Sequence, residues 1–173
     1  NIQAMFMDHK IPCFSYSIKV KRSGKFLPEK AISLNIPRQF CSILQKGNNV
    51  EYNGQILKPD MVLGQERDGI KVCYCTDSRP LDRMHSFINK ADLFVCEGMY
   101  GEEDKKEGAI AKKHMIFSEA ATMAKYGNVE ELWLTHFSPA LTEPQQFLYN
   151  AKNIFENTFV GYDRISKTIY FKN

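Results

Sequence analysis

Four histidines occur in the 173 residues, at positions 9, 85, 114 and 136, and two of them stand where a fold could aim an imidazole at a metal ion. His136 lies in Trp133-Leu134-Thr135-His136-Phe137-Ser138-Pro139, directly after an apolar run of strand type and just before a proline that turns the chain. His9 precedes the β-rich run that begins at Ile11, and Asp77 follows the apolar run from Ile70 to Cys75. In an open α/β sheet, strand ends gather along one rim, where ligands bind. Two imidazoles and a carboxylate meeting there form a donor set suited to zinc, with the carboxylate able to bridge two ions. Scattered strand-end residues of these types also occur simply hydrogen-bonded to their neighbours, so spacing alone leaves both readings open.

The elements that must hold these residues alternate. Ile11 to Lys21 reads as a half-buried strand, followed by a turn at Arg22-Ser23-Gly24-Lys25. Pro28 fits the first position of a short helix, and a second helix is predicted from Arg38 to Lys46, stopping at Gly47. Asn53-Gly54 marks the turn of a small hairpin over 48–57. Beyond the strand at 70–75, a helix is predicted at 82–89, a buried strand at 91–98 and a charged surface loop at 101–108. A helix follows at 117–127, with Ser118 as cap and Gly127 as stop, then a strand at 130–136. A last helix spans 142–155, and Ile169-Tyr170-Phe171 closes as a short strand. This rhythm is that of an α/β layered fold, in a chain long enough to bury its own core.

Composition narrows the setting. A net charge of +3 neither establishes nor opposes nucleic-acid binding. Five cysteines make an odd count without a CxxC pair, and Cys73 and Cys75 alternate onto one face of a strand, which fits reduced thiols and a cytoplasmic location. No apolar run reaches the roughly 20 residues a membrane span needs, and the N-terminus lacks a secretory pattern. The opening Asn-Ile-Gln-Ala-Met carries no initial Met, which points to an added leader or an internal start, with Met5 or Met7 as candidate beginnings.

Five segments give a more specific reading. Thr76-Asp77-Ser78-Arg79-Pro80 closely resembles the G-D-T-R-P signature of ribonuclease Z, the zinc-dependent tRNA 3′-processing endonuclease family of the metallo-β-lactamase superfamily. "DHKIPCFSYSI" resembles that family's H-x-x-x-x-x-G-Y segment, with Ser15 at the usual glycine. "ADLFVCEG" resembles A-D-x-x-x-H-E-A, with Cys96 at the histidine position. "KKHMIFSEAATMA" is similar to the segment that holds the catalytic histidine, and "LTHFSP" to the last metal motif. The five fall in the family's order over almost the whole chain. The resemblance implies the C-terminal half of a metallo-β-lactamase-type αβ/βα sandwich across 1–173, with 22–69 as an insertion like the family's substrate arm. It further implies His9 as a ligand of one zinc, Asp77 as a bridge between two, and His136 as a ligand of the second. His114 would then be the proton donor to the leaving oxygen, and Glu97 the acid that orients it. His85 matches no motif and is expected to be a surface or helix residue.

The sequence also departs from the family. The H-x-H-x-D-H motif, which supplies most of the zinc ligands, does not occur in the chain. The expectation is therefore a partial or absent zinc site in the isolated chain, little hydrolysis, and an apolar sheet face that drives dimerisation or pairing with an N-terminal half. Arg38-Gln39-Phe40 stands where the arm usually carries Gly-Pro, which leaves open a substrate other than a tRNA precursor. The basic residues Lys19, Lys21, Arg22 and Lys25 suit a solvated strand edge or phosphate contacts. Three functions are thus in view: the tRNA-processing phosphodiesterase, a hydrolase of the same fold with another phosphodiester substrate, and a silent half-domain serving as an RNA- or protein-interaction module.

Overall fold

The computed structural model of the protein describes residues 1–172. Eight strands and six helices occur among them. The strands are β1 (Ile2–Phe6), β2 (Phe14–Arg22), β3 (Val50–Tyr52), β4 (Gln55–Leu57), β5 (Arg67–Cys75), β6 (Leu93–Glu97), β7 (Leu132–Thr135) and β8 (Thr158–Val160). The helices are α1 (Pro28–Ser33), α2 (Arg38–Gln45), α3 (Asp82–Ile88), α4 (Lys106–Lys112), α5 (Phe117–Tyr126) and α6 (Leu148–Lys152). The chain divides into two compact units, one of Asn1–Val20 with Ile70–Tyr170, the other of Lys21–Gly69 with the last described residues.

The first unit is built on a sheet of order β1-β2-β5-β6-β7-β8. β1 and β2 are antiparallel, with Ile2 opposite Ile18 and Phe6 opposite Phe14. β5, β6, β7 and β8 run parallel, with Cys75 beside Cys96, Cys96 beside Leu134, and Leu134 beside Val160. Parallel strands need crossovers, which α3, α5 and α6 supply in turn. That explains why β6 and β7 read as near-continuous apolar runs rather than alternating ones. Phe94, Cys96, Leu132 and Leu134 from these strands are buried against Met84 and Ile88 of α3 and Phe117, Ala120, Ala121 and Ala124 of α5. The three alanines let α5 lie close to the sheet. Gly98 serves the same approach at the end of β6, since a Cβ there would sit 2.7 Å from the Phe117 ring.

The second unit gathers Ala31, Ile36, Leu44, Val50, Leu57 and Val62 into its own small core. Its hairpin turns at Asn53 and Gly54, both left-handed (φ 49° and 76°), as an Asn-Gly turn of the primed type requires. Arg22 lies over the Phe171 ring at 5.0 Å and donates to the Lys172 carbonyl, so this arginine already has partners.

Several expectations need correction. The charged stretch at 101–108 is not a loop: Glu103–Lys105 forms a 3₁₀ turn and α4 follows at Lys106. Its alanines, lysines and glutamate are good helix formers, and buried Ala109 anchors one face. Ser118 is not the cap of α5. Ile116 holds that position, and Glu119 accepts its N–H at 3.2 Å, half of a capping box. The helix expected over 142–155 is shorter, a 3₁₀ turn at Pro144–Phe147 running into α6. Residues 169–171 form no strand; the sheet edge beside β7 is taken by β8, which follows α6 after a short connection. β1, absent from the sequence reading, is the sheet's other edge.

Candidate metal centre

Asp77 follows β5, Glu97 ends β6, and His136 follows β7, so three adjacent parallel strands deliver their carboxyl ends to one rim. Asp77 and His136 both adopt left-handed backbone (φ 53° and 56°), which turns each side chain sharply off its strand. His9 arrives on the loop between β1 and β2, and His114 on the turn between α4 and α5. The structure brings all of them together. Asp77 Oδ1 lies 3.0 Å from His136 Nε2 and 4.0 Å from His9 Nε2. The His114 ring centre is 4.9 Å from that of His9 and 5.5 Å from that of His136. His9, Asp77 and His114 can each offer a ligand atom within 4.8 Å of the others. His85 sits apart on α3 with its ring 5.5 Å from Tyr126, and its Nε2 is buried without a hydrogen-bond partner among the described residues. Cys96, at the family's histidine position, is fully buried in the core.

Two of the three rings are held by their second nitrogen. His9 Nδ1 lies 3.2 Å from the Lys113 carbonyl, and His114 Nδ1 lies 3.0 Å from Glu97 Oε2. Such contacts fix ring orientation and leave Nε2 as the free nitrogen. Glu97 itself is fully buried and accepts the N–H groups of Ser78 at 2.5 Å and Met115 at 3.0 Å. Burial pushes its carboxyl up to about 8, against the pull of those two N–H donors. Burial, and then the charges of His9 and His136, lower His114 to about 4. Both shifts favour the neutral forms, and the 3.0 Å contact between Glu97 Oε2 and His114 Nδ1 lets the pair hold one proton between them. The donor set fits zinc: imidazole nitrogens and a carboxylate oxygen are its ordinary ligands, with outer partners that orient them.

Sequence reasoning missed the supporting residues. Asp8 pairs with Lys113 at 2.6 Å, and Arg79 pairs with Glu119. Arg79 and Glu119 each lie inside one of the five family-like segments, but nothing in either segment announces that the two side chains, forty residues apart, pair with each other.

No family model matches the chain. Among curated proteins, it is 57% identical to the ribonuclease Z of Clostridium acetobutylicum over 172 residues, covering 99% of this chain and 56% of that protein. It is 56% identical to the ribonuclease Z of Clostridium kluyveri, over 99% of this chain and 57% of the relative. Among solved structures, the metallo-β-lactamase fold protein YhfI from Bacillus subtilis superposes with a TM-score of 0.55 at 19% identity, over 92% of this chain and 45% of that one. Human tRNase Z, short form, superposes with a TM-score of 0.53 at 18% identity, over 97% of this chain and 43% of that one. The fold is thus that of the metallo-β-lactamase proteins, in their C-terminal half. By sequence the chain is homologous to ribonuclease Z over nearly its whole length, and it spans a little over half the length of those relatives.

Proposed function

We propose that the chain is part of a zinc-dependent ribonuclease Z that cleaves tRNA precursors endonucleolytically at their 3′ side. The observation that carries this reading is the meeting of His9, Asp77, His114 and His136 at one rim, with Glu97 behind them, in a chain homologous to ribonuclease Z. The free thiols of all five cysteines suit a cytoplasmic enzyme, and among the described residues no helix is long and apolar enough to cross a membrane.

His9, Asp77 and His136 would hold the metal, Asp77 placed between the two histidines to bridge two ions. Bound zinc supplies a water of lowered pKa and neutralises charge on the phosphate. The chain's own residues handle the departing ribose oxygen. His114 gives its Nε2 proton to that 3′ oxygen, and Nδ1 takes the proton held by Glu97. Glu97 is left as a carboxylate, which the Ser78 and Met115 N–H groups stabilise. Three donors serving two ions are too few, because a catalytic zinc takes about three protein ligands by itself. The isolated chain accordingly holds zinc weakly and turns over little.

The test is zinc per chain by plasma mass spectrometry, run beside cleavage of a 3′-extended tRNA precursor and of bis-p-nitrophenyl phosphate. Weak zinc in this chain, with tRNA cleavage by the full-length protein that contains it, is the expected result. Hydrolysis of the small diester without tRNA cleavage by that full-length protein would transfer the site to another phosphodiester. A full-length protein that binds no zinc and cleaves neither would leave the chain as an interaction module.

A further inference from the structure

Arg79 stands at a junction that the roles above do not use. Its main-chain N–H donates to the Asp8 carbonyl at 3.1 Å, next to His9. Its own carbonyl accepts the Ser78 hydroxyl at 2.7 Å, and the Asp8 N–H donates to that same hydroxyl at 3.2 Å. At the other end, Nη1 donates to Glu119 Oε2 at 2.8 Å and Nη2 donates to Glu119 Oε1, a two-pronged pairing. Nη1 also donates to the main-chain carbonyl of His114. Glu119 in turn accepts the Ile116 N–H, so the turn carrying His114 is gripped on both sides. Both side chains are largely shielded from water, where charge-assisted bonds of this geometry are strong.

We infer that Arg79 is the positioning residue of the site: fixed by Glu119, it sets the spacing of His114 against His9 and Asp77. One residue bonds the His9 loop through its backbone and the His114 turn through its guanidinium, and it lies two residues from Asp77 on the same turn. A lysine cannot do this. Its single ammonium reaches Glu119 or the His114 carbonyl as a point charge, without the planar fork that serves both. The inference rests on the function proposed above for its meaning, though its geometry can be tested without any cleavage.

Two readouts separate these. In the first, the present chain is labelled with ¹⁵N-histidine and the imidazole ¹⁵N–¹H correlations are recorded for wild type, Arg79→Lys and Glu119→Gln. The His114 and His9 ring signals are expected to shift or broaden in both variants while those of His85 stay in place. Unmoved His9 and His114 signals, with only a lower Tm, would overturn the inference and leave an ordinary ion pair. In the second, the full-length protein is assayed with the tRNA precursor. Arg79→Lys is expected to lower kcat about 10–100-fold with KM and zinc content near wild type. The exchanged pair Arg79→Glu with Glu119→Arg is expected to recover Tm but not kcat, because a carboxylate at position 79 cannot donate to the His114 carbonyl. Full recovery of kcat by that exchange would also overturn it. Absence of cleavage by the wild type would sink the proposed function instead, and the imidazole spectra would still decide the role of Arg79.

Discussion

His114 and Asp77 sit within one cluster, and the proposed function gives them different work that single substitutions separate. In the full-length protein, His114→Ala removes the proposed proton donor and is expected to lower turnover roughly 10²–10⁴-fold while zinc content by mass spectrometry changes little. Asp77→Ala removes the carboxylate between His9 and His136, so zinc and activity should fall together. Zinc stripped by His114→Ala would reverse the division into donor and ligand. The buried thiols give a prediction that needs no metal. Burial pushes Cys75 up to about 12 from an ordinary value near 9. Between those values the unfolded chain loses a proton that the folded chain keeps, so stability falls as pH rises, by about 1.4 kcal/mol per pH unit for each such thiol. Urea midpoints measured from pH 8 to 11 should decline more steeply for wild type than for Cys75→Ala. The five candidate positions that the structure brings to one rim each lie in a short motif of fixed order, which made their meeting legible in the sequence. What holds them was not, since the Arg79–Glu119 and Asp8–Lys113 contacts join residues far apart in the chain that meet only once the sheet and its helices are assembled.

Elements were legible where one local signal ruled and obscure where the sheet decided. The Asn53-Gly54 hairpin and the helix start at Pro28 follow from backbone preference alone. β8 is three residues long and becomes a strand only because β7 offers it an open edge, which no local pattern announces. The stretch at 101–108 misled because a run of charge describes solvent exposure rather than backbone state; α4 is a solvated helix. Gly98 marks a tight joint between elements next to the site. It follows Glu97 directly, and Phe117 at the first turn of α5 occupies the space a side chain would need. Gly98→Ala should therefore push α5 away from β6 and lower stability by about 1–3 kcal/mol, seen as a lower Tm by calorimetry. The same shift would disturb Met115, whose N–H binds Glu97. An unchanged Tm would show that the Phe117 ring yields without cost.

Across the whole molecule, the sheet of the first unit keeps one side dry and leaves part of the other bare. On β2 the pattern is inverted from that of a lone half-buried strand: Ser15 and Ser17 are buried, while Phe14, Tyr16, Ile18 and Val20 face outward. β1 adds Ile2 and Phe6 directly opposite Ile18 and Phe14, and the Phe6 and Phe14 rings meet edge to face at 5.4 Å. Ile2 is 69% exposed and Phe6 52%. Tyr74 on β5, between buried Cys73 and Cys75, is exposed as well. Contiguous apolar surface of this kind favours association, at about 25 cal/mol for each Å² removed from water. The isolated chain should therefore form dimers or larger species, with the β1–β2 face inside. Light scattering across a concentration series gives the mass directly, and the double variant Tyr16→Lys, Ile18→Lys places two charges in the middle of the patch. That variant should be monomeric with little loss of Tm, because both side chains are solvent-exposed within the chain. A monodisperse wild-type monomer would sink the prediction, and so would a dimer that the double variant leaves intact, since its contact must then lie elsewhere.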